Sequence, residues 1–453
     1  MSDASATGNA VQRVLRQPRF WFGPAVVVTV LMGLLAALYL GSILKPQENL
    51  HHFPIALVNQ DEGDTVPGNG NAKTQQNFGQ QIETALSQGI DPNKIDLQHV
   101  GIAEAQARLA NGKVYGAILI PSDFTKRMVI LAQASVVPGT VDKPVITVLT
   151  NPRAGTFASA IVTTIGQQAA EKVNASVGAK LTAQVEDVLK AGPAPTQLSG
   201  ASRLTLAQPV NVIVTAYNPL PDGTGNGLSA FYYTILLLLA GFTGAMIIHT
   251  MVDSYLGFVP TEYGPLYVHQ PAVGISRFNT LLLKWGIMFV VANIVSGVYV
   301  GIGHLLGMPI TKGLALFIYG AFAVTAVGIT AMSVLALLGS AGLLVNLVVF
   351  IVLGLPSSGG TVPVEATPPF FGWLARFEPM HQVYLGVRAI LYFDARGNAG
   401  LIASSWATLC GLLIGVVLGI LATKFYDRRG FERRPGGFVH DHPTEVEISA
   451  GQP

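Results

Sequence analysis

Long runs without a single Asp, Glu, Lys or Arg constrain this chain more than any other feature. Residues 23–44, 228–252, 285–311 and 313–364 are charge-free for 22, 25, 27 and 52 residues. About 20 consecutive apolar residues match the roughly 30 Å hydrocarbon layer of a bilayer. Composition agrees, because 50% of the 453 residues are hydrophobic and only 11% are charged, against about 25% charged in a soluble domain. The chain therefore reads as a membrane protein. A soluble enzyme, a disordered regulator and a disulfide-stapled secreted domain are excluded.

The first run, 23–44, follows Arg13, Arg16 and Arg19. A signal peptide has an apolar core of only about 7 to 15 residues, so this segment reads as a retained anchor, preceded by a cytoplasmic segment over 1–22. Residues 45–227 then hold 13 bases and 14 acids with no stretch able to cross a bilayer, and read as a folded aqueous domain. A helix made of all 52 residues of 313–364 would extend about 78 Å, so this run must fold back near 339–342 and counts as two crossings. The expected membrane domain covers 228–423, with spans near 228–252, 283–307, 313–338, 341–356 and 399–423. Six helices in a one-plus-five arrangement result.

Flanking bases set the expected orientation. Three Arg precede the first helix, and Lys424, Arg428, Arg429, Arg433 and Arg434 follow the last. Both termini are then cytoplasmic, and 45–227 lies outside a plasma membrane. Arg376, Arg388 and Arg396 pull the other way, since 357–398 would also be outside, but Glu365, Glu378 and Asp394 accompany them. The tail over 424–453 contains Pro435, Gly436 and Gly437 with scattered acids, and reads as cytoplasmic and disordered.

Within 45–227 the pattern is α/β. Residues 53–59, 114–120, 145–150 and 210–215 are β-like runs, and Pro121, Ser122 and Asp123 form a helix-start pattern. Ile102, Ala105 and Leu109 fall near helical spacing, and the Ala- and Gln-rich stretch 154–190 predicts a long helix or a helix pair. Strands alternating with helices imply a small sheet at the core. The polar, Gly-rich stretch 67–72 suits an exposed loop.

Chemistry-bearing motifs are scarce. The stretch 68–74 ends in Lys73 and Thr74, but Ala72 stands where a P-loop needs Gly for the backbone to wrap phosphate. No nucleotide cofactor is therefore expected on this chain. Neighbouring His51 and His52 would point to opposite faces of a strand, and His249, His269 and His304 lack partners at metal-ligand spacing. With no Gly-x-Ser-x-Gly elbow, no catalytic residue and no metal site are expected, and the chain does not read as an enzyme. A net charge of +2 gives no sign of a nucleic-acid partner, and the lone Cys410 reads as a small buried side chain.

Lys284, seven residues after Arg277 at the cytoplasmic start of the third helix, is expected to reach the interface by its long stem. Asn293 and Asn346 lie deeper and call for partners between helices or for a place lining a path. Gly411, Gly415 and Gly419 at a spacing of four, and Gly297 with Gly301, present bare faces for a close helix neighbour. Both intrachain packing and subunit association fit them. Between 253 and 277, Pro260, Glu262 and Pro265 leave room for a short coupling helix. Gly and Pro break up 354–388, while its aromatics suit the membrane surface, predicting an amphipathic, re-entrant segment over 357–398.

Three runs carry a family resemblance. Ser-Ser-Gly-Gly-Thr-Val-Pro-Val-Glu over 357–365, Pro-Pro-Phe-Phe over 368–371 and the segment 379–388 resemble the C-terminal signature of ABC-2 type membrane proteins, most closely the YhgE/Pip (phage infection protein) and DUF3533 group. Val-Asn-Gln-Asp-Glu-Gly over 58–63 is similar to the pattern after their first helix. The resemblance implies a membrane subunit that dimerises, pairs with separate ABC ATPase subunits and exports lipids, glycans, drugs or peptides. It also implies that Thr361, Pro363, Glu365, Pro379 and Arg388 shape an outer gate. The rival reading is a membrane-anchored binding, scaffold or receptor protein of the cell envelope. In either, membrane lipid is a partner.

Overall fold

A computed structural model describes residues 18–67, 73–135, 142–191, 197–268 and 270–431. Arg13, Arg16, the Gly-rich loop over 68–72, His269 and the tail from 432, with Arg433 and Arg434, lie outside the described residues. The chain opens with the apolar helix α1 (Pro18–Ile43) and enters an α/β unit. That unit runs β1 (Phe53–Asn59), β2 (Asp64–Pro67), β3 (Lys73–Gln76), α2 (Phe78–Gly89), β4 (Ile95–His99), α3 (Ile102–Ala110), β5 (Gly116–Ile120), α4 (Phe124–Ala134), β6 (Val145–Thr150), α5 (Thr156–Ala191), α6 (Gly200–Ala207) and β7 (Asn211–Ala216).

Five strands form one sheet in the order β4-β1-β5-β6-β7. All its neighbours are parallel except β5 and β6, which pair antiparallel. Parallel strands need both faces covered, and β1 is buried along most of its length. Ala56 and Val58 face Ala105 and Leu109 of α3, whereas Ile55 and Leu57 join the main core with Phe78, Phe124 and Met128. Close approach of α5 to the sheet depends on two glycines. A Cβ on Gly116 would stand 2.5 Å from Val162, and one on Gly166 would stand 2.9 Å from Val148. The stretch 154–190 is thus one 36-residue helix.

The second unit contains α7 (Leu228–Tyr255), the hairpin β8 (Thr261–Tyr263) with β9 (Leu266–Val268), α8 (Arg277–Leu305), α9 (Gly313–Leu338), α10 (Ala341–Ser357), α11 (Pro369–Ala375), α12 (Pro379–Tyr392) and α13 (Leu401–Arg428). Among the described residues five helices, α1, α7, α8, α9 and α13, are long and apolar enough to cross a membrane. The chain is a largely helical membrane protein with an α/β sheet domain. Helix α9 is the hub, packed against α7, α8 and α13 and 61% buried, while the apolar stretch of α1 is 6% buried. A bare apolar helix is stable only with lipid or another helix around it.

Two differences from the sequence reading are physical. Positive φ at Gly339 ends α9 as the fold-back near 339–342 requires, but α10 spans only 341–357 and passes through a π-helical turn, Val348–Val352. At 1.5 Å per residue it extends about 25 Å, short of a full crossing. Between 253 and 277 the chain makes a β-hairpin, pairing Thr261 with Val268, not a coupling helix. Gly257 and Gly264 at positive φ turn the chain there.

Candidate functional site

Two clusters of buried charge stand out, one inside the helical bundle and one where the sheet domain meets it. In the first, His249 and Asp253 are four residues apart on α7, hence on one face, and α8 brings Lys284 against them. Lys284 Nζ donates to Asp253 Oδ1 at 2.7 Å and meets His249 Nδ1 at 3.0 Å. His249 Nε2 lies 3.3 Å from Asp253 Oδ2. An ammonium facing Nδ1 needs an acceptor there, which assigns the imidazole proton to Nε2, pointing at the carboxylate. Lys284 is 2% exposed and Asp253 5%. The expected reach of Lys284 to the interface is therefore overturned, because a carboxylate one helix away offers it a shorter path to a counter-charge.

Nearby, the start of α8 is tied to the end of α13. Asp427 accepts the backbone N–H groups of Arg277 and Phe278 at 3.0 and 3.1 Å, placing a negative charge on a helix N-terminus that favours it. Arg277 Nε donates to the Phe431 carbonyl at 2.8 Å. The β8–β9 hairpin thus connects α7 to a helix start that Asp427 ties to α13.

The second cluster is the seam between the sheet domain and 357–398. Glu365 accepts a hydrogen bond from the Tyr115 hydroxyl at 2.8 Å, and its carbonyl accepts the His51 N–H at 2.8 Å. Burial, and next the Glu365 carboxylate, push the Tyr115 phenol well above its ordinary range, against the pull of Arg388. Arg388 is 8% exposed, donates from Nη1 to the Ala154 carbonyl at 2.8 Å and lies over the rings of Tyr384 and Phe393. Arg153 Nη1 returns the link to the Tyr392 carbonyl at 3.0 Å. Gly112 has no room for a side chain, since a Cβ there would stand 2.8 Å from Phe393.

Beside the seam, Glu378 caps α12 through the His381 N–H at 3.0 Å. Its burial raises the carboxyl from about 4.5 to about 8, opposed by the His381 and Met380 amides. Burial likewise pushes the His381 imidazole down to about 4, with Nδ1 at 2.8 Å from the Ser358 carbonyl. Both groups are held neutral near pH 7.

Of the residues singled out in the sequence, the structure brings Glu365 and Arg388 together around Tyr115. Pro363 is buried and Thr361 exposed, and Pro379 begins α12. Gly415 and Gly419 lie against α9, where a Cβ would meet Thr330 and Ser333. Gly411 and Gly301 meet nothing within 4 Å, and Gly297 makes only ordinary contact with Phe317, so neither series is a tight seam throughout. Asn346 donates to the Ala331 carbonyl of α9 at 3.0 Å, but Asn293 bonds its own helix at Phe289. Cys410 is exposed, not buried.

The Val-Asn-x-Asp-x-Gly run has a structural task. Asp61 Oδ2 accepts the Gly79 N–H at 2.8 Å and Oδ1 the Thr125 N–H at 2.9 Å, so one carboxylate caps both α2 and α4. Asn59 donates to Glu83, which also meets His99. Burial would raise the Glu83 carboxyl, but these bonds bring it below its ordinary range. A cleft of about 410 Å³ opens between α2, the start of β4 and α5, lined by Leu86, Ile90, Ile161 and Ile165 with Lys94 and Lys172 among its polar groups. Sequence reasoning missed the ionic cluster because Asp253 was assigned to a loop. The signal was present in the i, i+4 spacing of His249 and Asp253.

Apolar helices around a buried ion pair, joined to an α/β domain, define a polytopic membrane protein. The chain belongs to the DUF3533 family, whose model, described as a protein of unknown function, matches residues 25–410. No curated protein matches it. Among solved structures it is similar to one titled "Crystal structure of a domain of a putative ABC type-2 transporter from Thermotoga maritima MSB8". That match has 17% identity and a TM-score of 0.23, and covers 39% of this chain and 98% of the other.

Proposed function

We propose that this chain is the membrane (permease) subunit of an ABC-2 type exporter, similar to the YhgE/Pip group and energised by a separate ATPase chain. It moves a lipid, glycan, drug or peptide outward across the plasma membrane as a homodimer, and has no catalytic centre or cofactor of its own. In this reading α10, too short for an average bilayer, makes the fifth of six crossings by local thinning of the membrane around it, both termini are cytoplasmic, and 45–227 is outside.

The observation that carries the reading is the buried Lys284–Asp253–His249 cluster. Asp253 lies in the last turn of α7 and Lys284 near the start of α8, and ionisable groups within apolar helices are rare and face the bundle interior, cavities or pathways. A bundle that only anchored the sheet domain would gain nothing from it. Helix α7 must slide or tilt against α8 for the bundle to open, and that motion exchanges the partners of Lys284. The seam at Glu365 and Arg388 then transmits the motion to the sheet domain, whose cleft receives or guides cargo.

One observation favours the scaffold or receptor reading, namely that the 410 Å³ cleft lies wholly within the sheet domain and is able to hold a ligand without bundle motion. Purification from native membranes separates the two. Export predicts a co-purifying ATPase whose hydrolysis responds to this subunit, while its repeated absence supports the scaffold.

A further inference from the structure

A separate groove on the bundle surface has the features of a lipid site. It has a volume of about 320 Å³ and runs between α9, the π-helical turn of α10, α12 and α13, with Val327, Phe350, Val383 and Ile414 among its walls. The hydroxyl and amide donors of these walls are already used. Thr330 Oγ1 donates to the Ala326 carbonyl and approaches that of Gly411, Thr408 Oγ1 donates to the Ser404 carbonyl, and Gln382 Nε2 to that of Ala375. What remains on the lining is apolar surface and one cation. Arg376 is exposed and lies at the groove, and among the described residues its guanidinium makes no hydrogen bond or ion pair.

Exposed aromatics locate the groove in a bilayer. Phe370, Trp373 and Phe377 are 50, 55 and 70% exposed and adjoin one another in a row, tilted and then edge-on, in keeping with the enrichment of aromatic side chains at headgroup level. Arg376 belongs to the same stretch of chain. From Ala407 to Ile414 along α13 the groove descends about 10 Å, within the roughly 15 Å of one leaflet. Its cation is thus at the headgroups and its apolar floor among the acyl chains.

We propose that this groove binds an anionic glycerophospholipid, with the phosphate on Arg376 and one acyl chain between α9 and α13. A planar guanidinium matches phosphate by paired N–H donors. A net-negative lipid is preferred because a zwitterionic headgroup brings its own cation to the same place. The site does not depend on the transport reading, nor on which leaflet faces outward.

The test is native mass spectrometry of the full chain released from nanodiscs of phosphatidylglycerol or phosphatidylcholine. Wild type retains phosphatidylglycerol in preference. Arg376→Gln lowers that preference by about fivefold, and Arg429→Gln, at the other end of α13, leaves it unchanged. Gly411→Leu, at a position with open space beside it, fills the groove and reduces retention of both lipids. Equal retention of the two lipids by wild type, or an unchanged preference in Arg376→Gln, overturns the proposal. So does efficient Cys410 to Cys410 cross-linking between copies in intact membranes, which would make a second chain the occupant.

Discussion

The two clusters of buried charge solve the same physical problem differently. Within the bundle, Lys284 and Asp253 neutralise each other between two helices, so their pairing depends on how α7 and α8 sit against each other. At the seam, Arg388 is met by a backbone carbonyl and two aromatic rings, and Glu365 by a phenol. Carbonyls and rings are fixed parts of folded elements, whereas an ion pair between helices can be exchanged as those helices move. The comparison assigns motion to the bundle and rigidity to the seam.

The largest effect should come from halving the ionic pair. Lys284→Met leaves Asp253 buried without its ammonium, and about 3 to 5 kcal/mol of stability should be lost. The double variant Lys284→Met with Asp253→Leu should regain most of it, because replacing a whole buried pair by apolar groups is often neutral. Thermal unfolding in detergent reads both. If the double variant is no better than the single one, the pair is not the local unit described.

Next, Arg388→Gln removes a charge-assisted bond to the Ala154 carbonyl and should cost about 1.5 to 3 kcal/mol. Hydrogen exchange should rise at the start of α5 and leave α8 unaffected. Faster exchange in α8 would mean that the two clusters are one cooperative unit.

A third expectation concerns pH. The Glu378 carboxyl is raised from 4.5 to about 8, so the folded chain holds a proton that the unfolded chain has released, and stability falls as pH rises between those values. His381 is lowered from 6.5 to about 4, so stability also falls as pH drops below 6.5. Glu378→Gln, which keeps a side-chain acceptor for the cap of α12, should abolish the decline between pH 6.5 and 8 while leaving the acid limb. A persistent alkaline decline would assign it elsewhere.

Smallest is Tyr115→Phe, which deletes one hydroxyl from Glu365 and should cost about 1 to 2 kcal/mol, seen as a modest shift in the unfolding midpoint.

Much of the fold was legible because burial leaves a pattern in sequence. The run 53–59 is apolar up to Val58 and became the doubly covered β1, and charge-free stretches marked each long apolar helix. β4 escaped notice because Ile95-Asp-Leu-Gln-His99 is half polar, as befits an edge strand beside one neighbour. The hairpin at 261–268 was read as room for a helix because Pro260 and Pro265 mark breaks without specifying what lies between them. Glu365 and Arg388 were picked out by resemblance, but their meeting at Tyr115, 250 positions from Glu365, depends on tertiary packing that no local spacing encodes. The reverse holds for His249 and Asp253, whose shared helix face was readable while the Lys284 that completes it was not.

The central claim is that α7 and α8 separate during the working cycle. Its most direct test tethers them. In a Cys410→Ser background, Asp253→Cys and Lys284→Cys are joined by a short bifunctional thiol reagent in the complex purified from native membranes, and ATP hydrolysis is followed. The account predicts that hydrolysis stops on tethering and returns on reduction of a cleavable linker. Hydrolysis that continues unchanged with the two helices joined would contradict it.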